Sequence, residues 1–166
     1  MKQLLLICTI LLSFEDGYSQ DTSKVKSINA YVSSISSLSY KQHIDSGTVE
    51  LSPGKPFKKT VITLYYTDSV SLYKAVTKVI LFPNEAYGMK DTAKSESIIY
   101  YEDNKMVKME ESMTDGSKYS PLFSSYYDDK LIYSSLPNKK EGMDRTPIIK
   151  QLAQGYLDAF LKMKLK

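Results

Sequence analysis

Cysteine is nearly missing from this 166-residue chain: Cys8 is the only one, and it sits inside an apolar N-terminal run. The chain beyond it has no disulfide, no thiol nucleophile and no thiolate metal ligand. Histidine also occurs once, as His43, so a zinc site of three or four His and Cys ligands is excluded. Arginine occurs once, as Arg145, and the lysines are scattered under a formal net charge of only +3. Phosphate and base-edge readout favour clustered arginine, so nucleic acid is not an expected partner. Tryptophan, the large aromatic platform of many sugar sites, is absent, whereas tyrosine occurs 14 times. No apolar run after the first reaches the length of a membrane-spanning helix.

The first run has its own meaning. In MKQLLLICTILLSFEDGYSQ, Lys2 precedes an apolar stretch from Leu4 to Leu12. Gly17 and Ser19 then place small residues three and one before a cut between Ser19 and Gln20. That layout predicts a secretory signal peptide over residues 1–19 and a periplasmic or secreted product. Residues 20–166 are long enough for one α+β domain with a real core. Cys8 lies within the run rather than after it, so no lipid anchor is predicted.

Glycine and proline punctuate the rest, and between them lie two helix-like ends and a strand-like middle. Val25, Ile28, Val32 and Ile35 recur at helical spacing, with Tyr31 and Leu38 widening the stripe and Asp21, Thr22 or Ser23 as cap. Ile148, Ile149, Leu152, Tyr156, Ala159, Phe160 and Met163 form a second stripe, opened by Thr146-Pro147. The middle is rich in β-branched and aromatic residues broken by short turns. Short connections require an antiparallel sheet. The expected fold is α+β: an antiparallel β-meander of about six or seven strands, with both terminal helices packed on one face.

Three turns in that middle are preceded by the same letters: YYTD from Tyr65, YYED from Tyr100 and YYDD from Tyr126. A two-residue turn at Asp103-Asn104 suits residues that tolerate left-handed backbone. A regular ladder from that turn sets Tyr100 opposite Val107 and Ile98 opposite Met109, making their shared face apolar. Tyr100 is then expected inside and Tyr101 outside. Aligned on its turn, the third copy puts Tyr126 at the position of Tyr101, one residue out of step. A one-residue slip reverses the face, so the tyrosines are not expected to form one row. The copies read as repeated hairpins. "YYEDNKMVKMEE" and "YYDDKLIYSS" resemble small exported bacterial β-meander proteins, a likeness covering roughly residues 60–135. It implies a fold and an exported location but no activity and no functional residues.

No catalytic, cofactor-binding or metal-binding residues are predicted. His43 and Asp45 would share a strand face while Ser46 points away, and no Gly-x-Ser-x-Gly elbow occurs, so no Ser-His-Asp triad is built. Asp128-Asp129 and Glu110-Glu111 lack loop-type calcium spacing. The first functional expectation is a non-catalytic binding protein that uses a Tyr-rich sheet face: Tyr65, Tyr66, Tyr101, Tyr126, Tyr127 and Tyr133. Its partner would be a protein, a glycan or an apolar ligand. The second is a carrier of an apolar small ligand in a pocket between sheet and helices, with Met89, Met106, Met109, Met113 and Met143 as an adaptable lining. A hydrolase built on two carboxylates stands third.

Overall fold

The computed structural model describes residues 21–68, 70–115, 118–119, 122–135 and 145–164. The expected leader and its expected cut at Ser19/Gln20, with Cys8 and Met143, lie outside the described residues. Helix α1 (Thr22–Ile35) is followed by strands β1 (Lys41–Ser52), β2 (Lys55–Tyr66), β3 (Leu72–Leu81), β4 (Ala93–Glu102) and β5 (Lys105–Asp115). Then come β6 (Lys118–Tyr119), β7 (Phe123–Asp128), β8 (Lys130–Ser134) and helix α2 (Thr146–Lys164). The strands form one antiparallel sheet in the order β1-β2-β3-β4-β5-β7-β8, and β6 pairs with β5 beside that path. The α+β meander expected from the short turns is therefore the fold.

Each helix begins where the residue chemistry places it. Asp21 caps α1 by accepting the Lys24 N–H at 3.1 Å. Its carboxyl is held below its ordinary pKa, chiefly by the Ser23 hydroxyl, which donates to it at 2.8 Å. At the other end of α1 the Tyr40 hydroxyl donates to the Ile35 carbonyl. In α2 the first helical bond runs from Ile149 N–H to the Arg145 carbonyl at 3.0 Å, so Arg145, not Thr146, holds the cap position.

The helices were expected on one face; they cover opposite faces. Tyr126 and Tyr127 are neighbours on β7, and side chains alternate along a strand. Tyr127 joins a core with Leu64, Leu72, Ile99, Tyr101 and Met109 of the sheet and Ile149, Ala153, Tyr156, Leu157 and Phe160 of α2. Tyr126 joins a smaller core with Ile28 of α1 and Ile132, flanked by Val25, Val32, Val107 and Tyr133. A sheet with one helix on each face needs buried residues on both sides, and neighbouring positions such as Ile99 and Tyr100, or Lys108 and Met109, are accordingly withdrawn from solvent on opposite faces.

Hairpin geometry decides which tyrosine goes where. Asp103 and Asn104 have φ values of 51° and 60°, the left-handed pair that a tight two-residue turn requires. Asp129 has φ 54° in the β7–β8 turn. Asp68 accepts the N–H groups of Val70 and Ser71 at 2.7 and 2.9 Å after β2. All three motif aspartates thus belong to turns.

The ladders are not regular, however. Tyr101 opposes Met106 but Tyr100 opposes Lys108, leaving Val107 as an extra residue. Tyr127 opposes Leu131 but Tyr126 opposes Tyr133, leaving Ile132 extra. Tyr66 opposes Leu72 but Tyr65 opposes Lys74, leaving Tyr73 extra. In every copy a β-bulge falls between the two tyrosines.

These bulges overturn the expected faces. Tyr101 is 1% exposed and Ile99 is fully buried, both toward α2, while Tyr100 and Ile98 are half-buried on the other face. The expected slip between copies also disappears. The β7–β8 turn is one residue shorter than the β4–β5 turn, so Tyr127 rather than Tyr126 occupies the place of Tyr101.

Candidate binding site

The two rows of tyrosines have different roles. The second tyrosine of each pair faces α2: Tyr101 and Tyr127 are core, and Tyr66 packs against Phe160 with ring centroids 5.4 Å apart. The Tyr101 hydroxyl donates to the Ala153 carbonyl of α2 at 2.9 Å, and its own carbonyl accepts from the Tyr31 hydroxyl of α1 at 2.5 Å. One residue therefore tethers both helices. Burial pushes the Tyr101 hydroxyl well above the usual tyrosine range, and pushes Tyr31 up to about 12.

The first tyrosine of each pair faces α1, and these do form one row. Across successive strands the opposed residues are Tyr65, Lys74, Tyr100, Lys108, Tyr126 and Tyr133. Lys74 Nζ lies 4.4 Å from the Tyr65 ring centroid, and Lys108 Nζ lies 5.1 Å from that of Tyr126. Lys108 is buried, and its ammonium pairs with Glu110 at 2.7 Å and with Asn29 Oδ1 of α1 at 3.1 Å. Glu110 also accepts from Tyr100, at 2.9 Å, and Asn29 also accepts from Tyr126, at 3.0 Å. Burial, with the Glu110 charge behind it, pushes the Tyr100 hydroxyl upward. This network satisfies its own charges and binds α1 to the sheet. The six tyrosines expected to form one recognition face are thus divided. Tyr101, Tyr126 and Tyr127 are buried, and only Tyr65, Tyr66 and Tyr133 keep partial exposure, on both sides of the sheet.

The concavity lies elsewhere, between the sheet and the first turns of α2. Beneath α2 the sheet presents the row Leu64, Ala75, Ile99 and Met109, which packs in one core with Ile149, Ala153, Tyr156, Leu157 and Phe160. Beside Arg145, Ile148, Leu152 and Tyr156 the next rows are Ile62, Thr77, Ser97 and Glu111, then Thr60, Val79 and Ser95. Short hydroxyl side chains leave the floor low. Ile148 and Leu152 therefore stay 62% and 39% exposed on α2. The result is a groove of about 470 Å³ with an apolar helix wall, Ile62, Val79 and Met109 along the strands, and hydroxyls on its floor. Thr77 Oγ1 and the Tyr156 hydroxyl share a hydrogen bond at its inner end, and burial raises the Tyr156 pKa. Arg145 clasps Glu111 at the rim, with N–O distances of 2.8 and 3.3 Å. Of the described methionines expected to line such a pocket, Met109 does so; Met89 pairs with Asn84 in the β3–β4 connection, Met106 packs beside the main core and Met113 is exposed.

Other chemistry is placed plainly. His43 and Asp45 lie on β1, a strand exposed along its whole length, with Ser46 at the alternate position. Among the described residues, no group of three His, Cys, Asp or Glu side chains could hold a metal ion, and no helix is long and apolar enough to cross a membrane. A second concavity of about 390 Å³ lies at the β4–β5 and β7–β8 turns, where Asp103, Asp128, Asp129, Lys105 and Lys150 mix both charges. No protein-family model matches this chain, and no curated protein or solved structure matches it at significant similarity.

Proposed function

We propose that this is an exported, non-catalytic binding protein whose site is the groove between α2 and the sheet. Its ligand is an apolar chain or ring system that also offers hydrogen-bonding groups. The observation that carries this reading is the exposed apolar pair Ile148 and Leu152 lining the same groove as a floor of threonine and serine. Apolar walls with a few fixed polar groups are the usual composition of a small-molecule site. The N-terminal charge, apolar run and small-residue cut support export. The test is titration of an environment-sensitive apolar fluorophore into the wild-type protein and into Ser97→Phe, which fills the groove floor. At least tenfold weaker binding by Ser97→Phe, with unchanged stability, is expected. Equal binding by both proteins refutes the site. N-terminal sequencing of the exported protein should start at or near Gln20.

A second reading keeps the tyrosines as a recognition surface, at the open end of the α1 face. There Tyr40 lies 5.8 Å from both Tyr65 and Tyr73, with the Lys74 ammonium over the Tyr65 ring. Half-exposed tyrosines with a cation are common at interfaces. Under this reading Tyr65→Ala abolishes binding of a protein or glycan partner while leaving the groove titration unchanged.

A further inference from the structure

The two ends of the sheet are built differently. The β8 edge is five residues long, and a bulge interrupts its pairing. Short, bulged edges discourage further pairing. The β1 edge is twelve residues long and exposed throughout, with Ile44, Val49 and Leu51 all more than half exposed. Its pairing with β2 runs without interruption from Lys41 to Val49, and the first irregularity comes only at Val49/Glu50. The outer edge of that stretch is therefore straight enough to accept another strand.

The sequence of this stretch is self-complementary. Two copies of β1 related by a two-fold axis normal to the sheet must oppose residues of the same face. With Ile44 on the axis, Ile44 meets Ile44, Gln42 meets Ser46, and His43 meets Asp45 twice. Moving the axis to Asp45 sets two carboxylates together and leaves His43 against Gly47. Moving it to His43 sets Lys41 against Asp45, but it opposes the two histidines, puts Ile44 against Gln42 and so loses the apolar contact, over a shorter paired length. Only the register centred on Ile44 joins an apolar contact to two pairs of complementary polarity. We propose that this edge is an interface with a second copy of the chain, in which β1 pairs antiparallel with itself around Ile44 and continues the sheet across the dimer.

Light scattering on the purified protein tests this across a concentration series, beside Asp45→Lys, His43→Glu and the double variant. These positions are exposed, and each variant's fold is checked by circular dichroism. The wild type should approach twice the mass of one chain as concentration rises. Asp45→Lys sets cation against imidazole, His43→Glu sets carboxylate against carboxylate, and each alone should stay monomeric. An equimolar mixture of the two should recover dimer, because His43 then meets Asp45 and the new Lys meets the new Glu. The double variant should also recover it. A wild type that stays monomeric at the highest concentration overturns the interface. A dimer that survives in both single variants, or a mixture that does not associate, overturns the register.

Discussion

Replacing Tyr101 by alanine is the most direct test of the bulged hairpin, because a regular hairpin and the bulged one order the two neighbouring tyrosines oppositely. Tyr101 is 1% exposed, packed among Ile99, Met109 and α2, and its hydroxyl donates to the Ala153 carbonyl at 2.9 Å. Truncating a large buried aromatic removes its apolar burial and leaves a cavity, a loss of roughly 3–5 kcal/mol. Tyr101→Phe removes only the hydroxyl. Ala153 lies mid-helix, where its carbonyl also accepts from its own helix, so the loss should be about 1 kcal/mol. Tyr100 is half-buried and bonded to Glu110. Tyr100→Ala should lose about 1–2 kcal/mol, since partial burial and one hydrogen bond to a charged group are removed. In a domain of this size, roughly 4 kcal/mol lowers the melting temperature by about 8–16 °C. Urea midpoints followed by far-ultraviolet circular dichroism suit a chain without tryptophan. If Tyr100→Ala destabilises as much as Tyr101→Ala, or more, the bulge at Val107 and the face assignment built on it are wrong.

Four further outcomes are expected. Asn104→Gly keeps the left-handed turn but loses the bonds from the Asn104 side chain to Leu72 N–H at 3.2 Å and to the Val70 carbonyl at 3.0 Å. Its urea midpoint should therefore fall, by about 1–2 kcal/mol of stability, where a free-standing hairpin would gain. Lys108→Met leaves the half-buried Glu110 without its cation and should destabilise by about 2–4 kcal/mol, whereas adding Glu110→Gln should restore most of that in a double-mutant cycle. Phe160→Ala, at a fully buried site, should lose roughly 3–5 kcal/mol, and Leu152→Ala, over the groove, less than about 1 kcal/mol; equal losses in thermal melts would place Leu152 in the core. Tyr31 is neutral in the fold up to about 12, above the unfolded value near 10. Its contribution is thus complete below pH 10 and lost as pH rises from about 10 to about 12; a Tyr31→Phe protein whose denaturation midpoint falls as steeply over that range as the wild type would refute it.

What the sequence disclosed and what it concealed follow from the same physics. Periodicity and turn chemistry exposed the helices, the strand order and the turns, because these depend on neighbours in the chain. The bulges depend on which residue the opposite strand leaves unpaired, and nothing local to Val107 or Ile132 announces that. Without the bulge, Lys108 and Glu110 read as the outward side of an amphipathic strand; with it, they lie beneath α1. The α2 stripe was half legible for another reason. Ile149, Tyr156 and Phe160 are buried, but so are Ala153 and Leu157, while Ile148, Leu152 and Ala159 stand toward groove or solvent. A helix cannot declare from its own residues whether an apolar side chain meets a leucine or a serine floor. The groove is therefore a property of Thr77, Ser95 and Ser97, residues that look unremarkable until α2 lies above them.

The repeated motif answers a problem that a sheet covered on both faces poses at every hairpin. Near a turn, strand ends splay and twist, and a single large residue can cover only one side. A Tyr-Tyr pair places one ring on each face at the same height along the strand. A bulge opposite the pair adds an extra side chain from the partner strand, and Val107 and Ile132 both reach the α1 cluster while Tyr73 reaches Tyr40. The extra residue thickens the α1 side, where α1 is a single short helix, without displacing the second tyrosine from the α2 core. The aspartate then closes the turn. Tyrosine suits both positions because its ring supplies area and its hydroxyl finds a partner: Ala153 for Tyr101, Glu110 for Tyr100 and Asn29 for Tyr126. Phenylalanine would supply the area alone, and the Lys108–Glu110–Asn29 network would lose the hydroxyls of Tyr100 and Tyr126 that bond to it. The three copies are thus one structural solution used three times. The surfaces that this solution leaves unfilled are the hydroxyl-floored groove under α2 and the outer edge of β1.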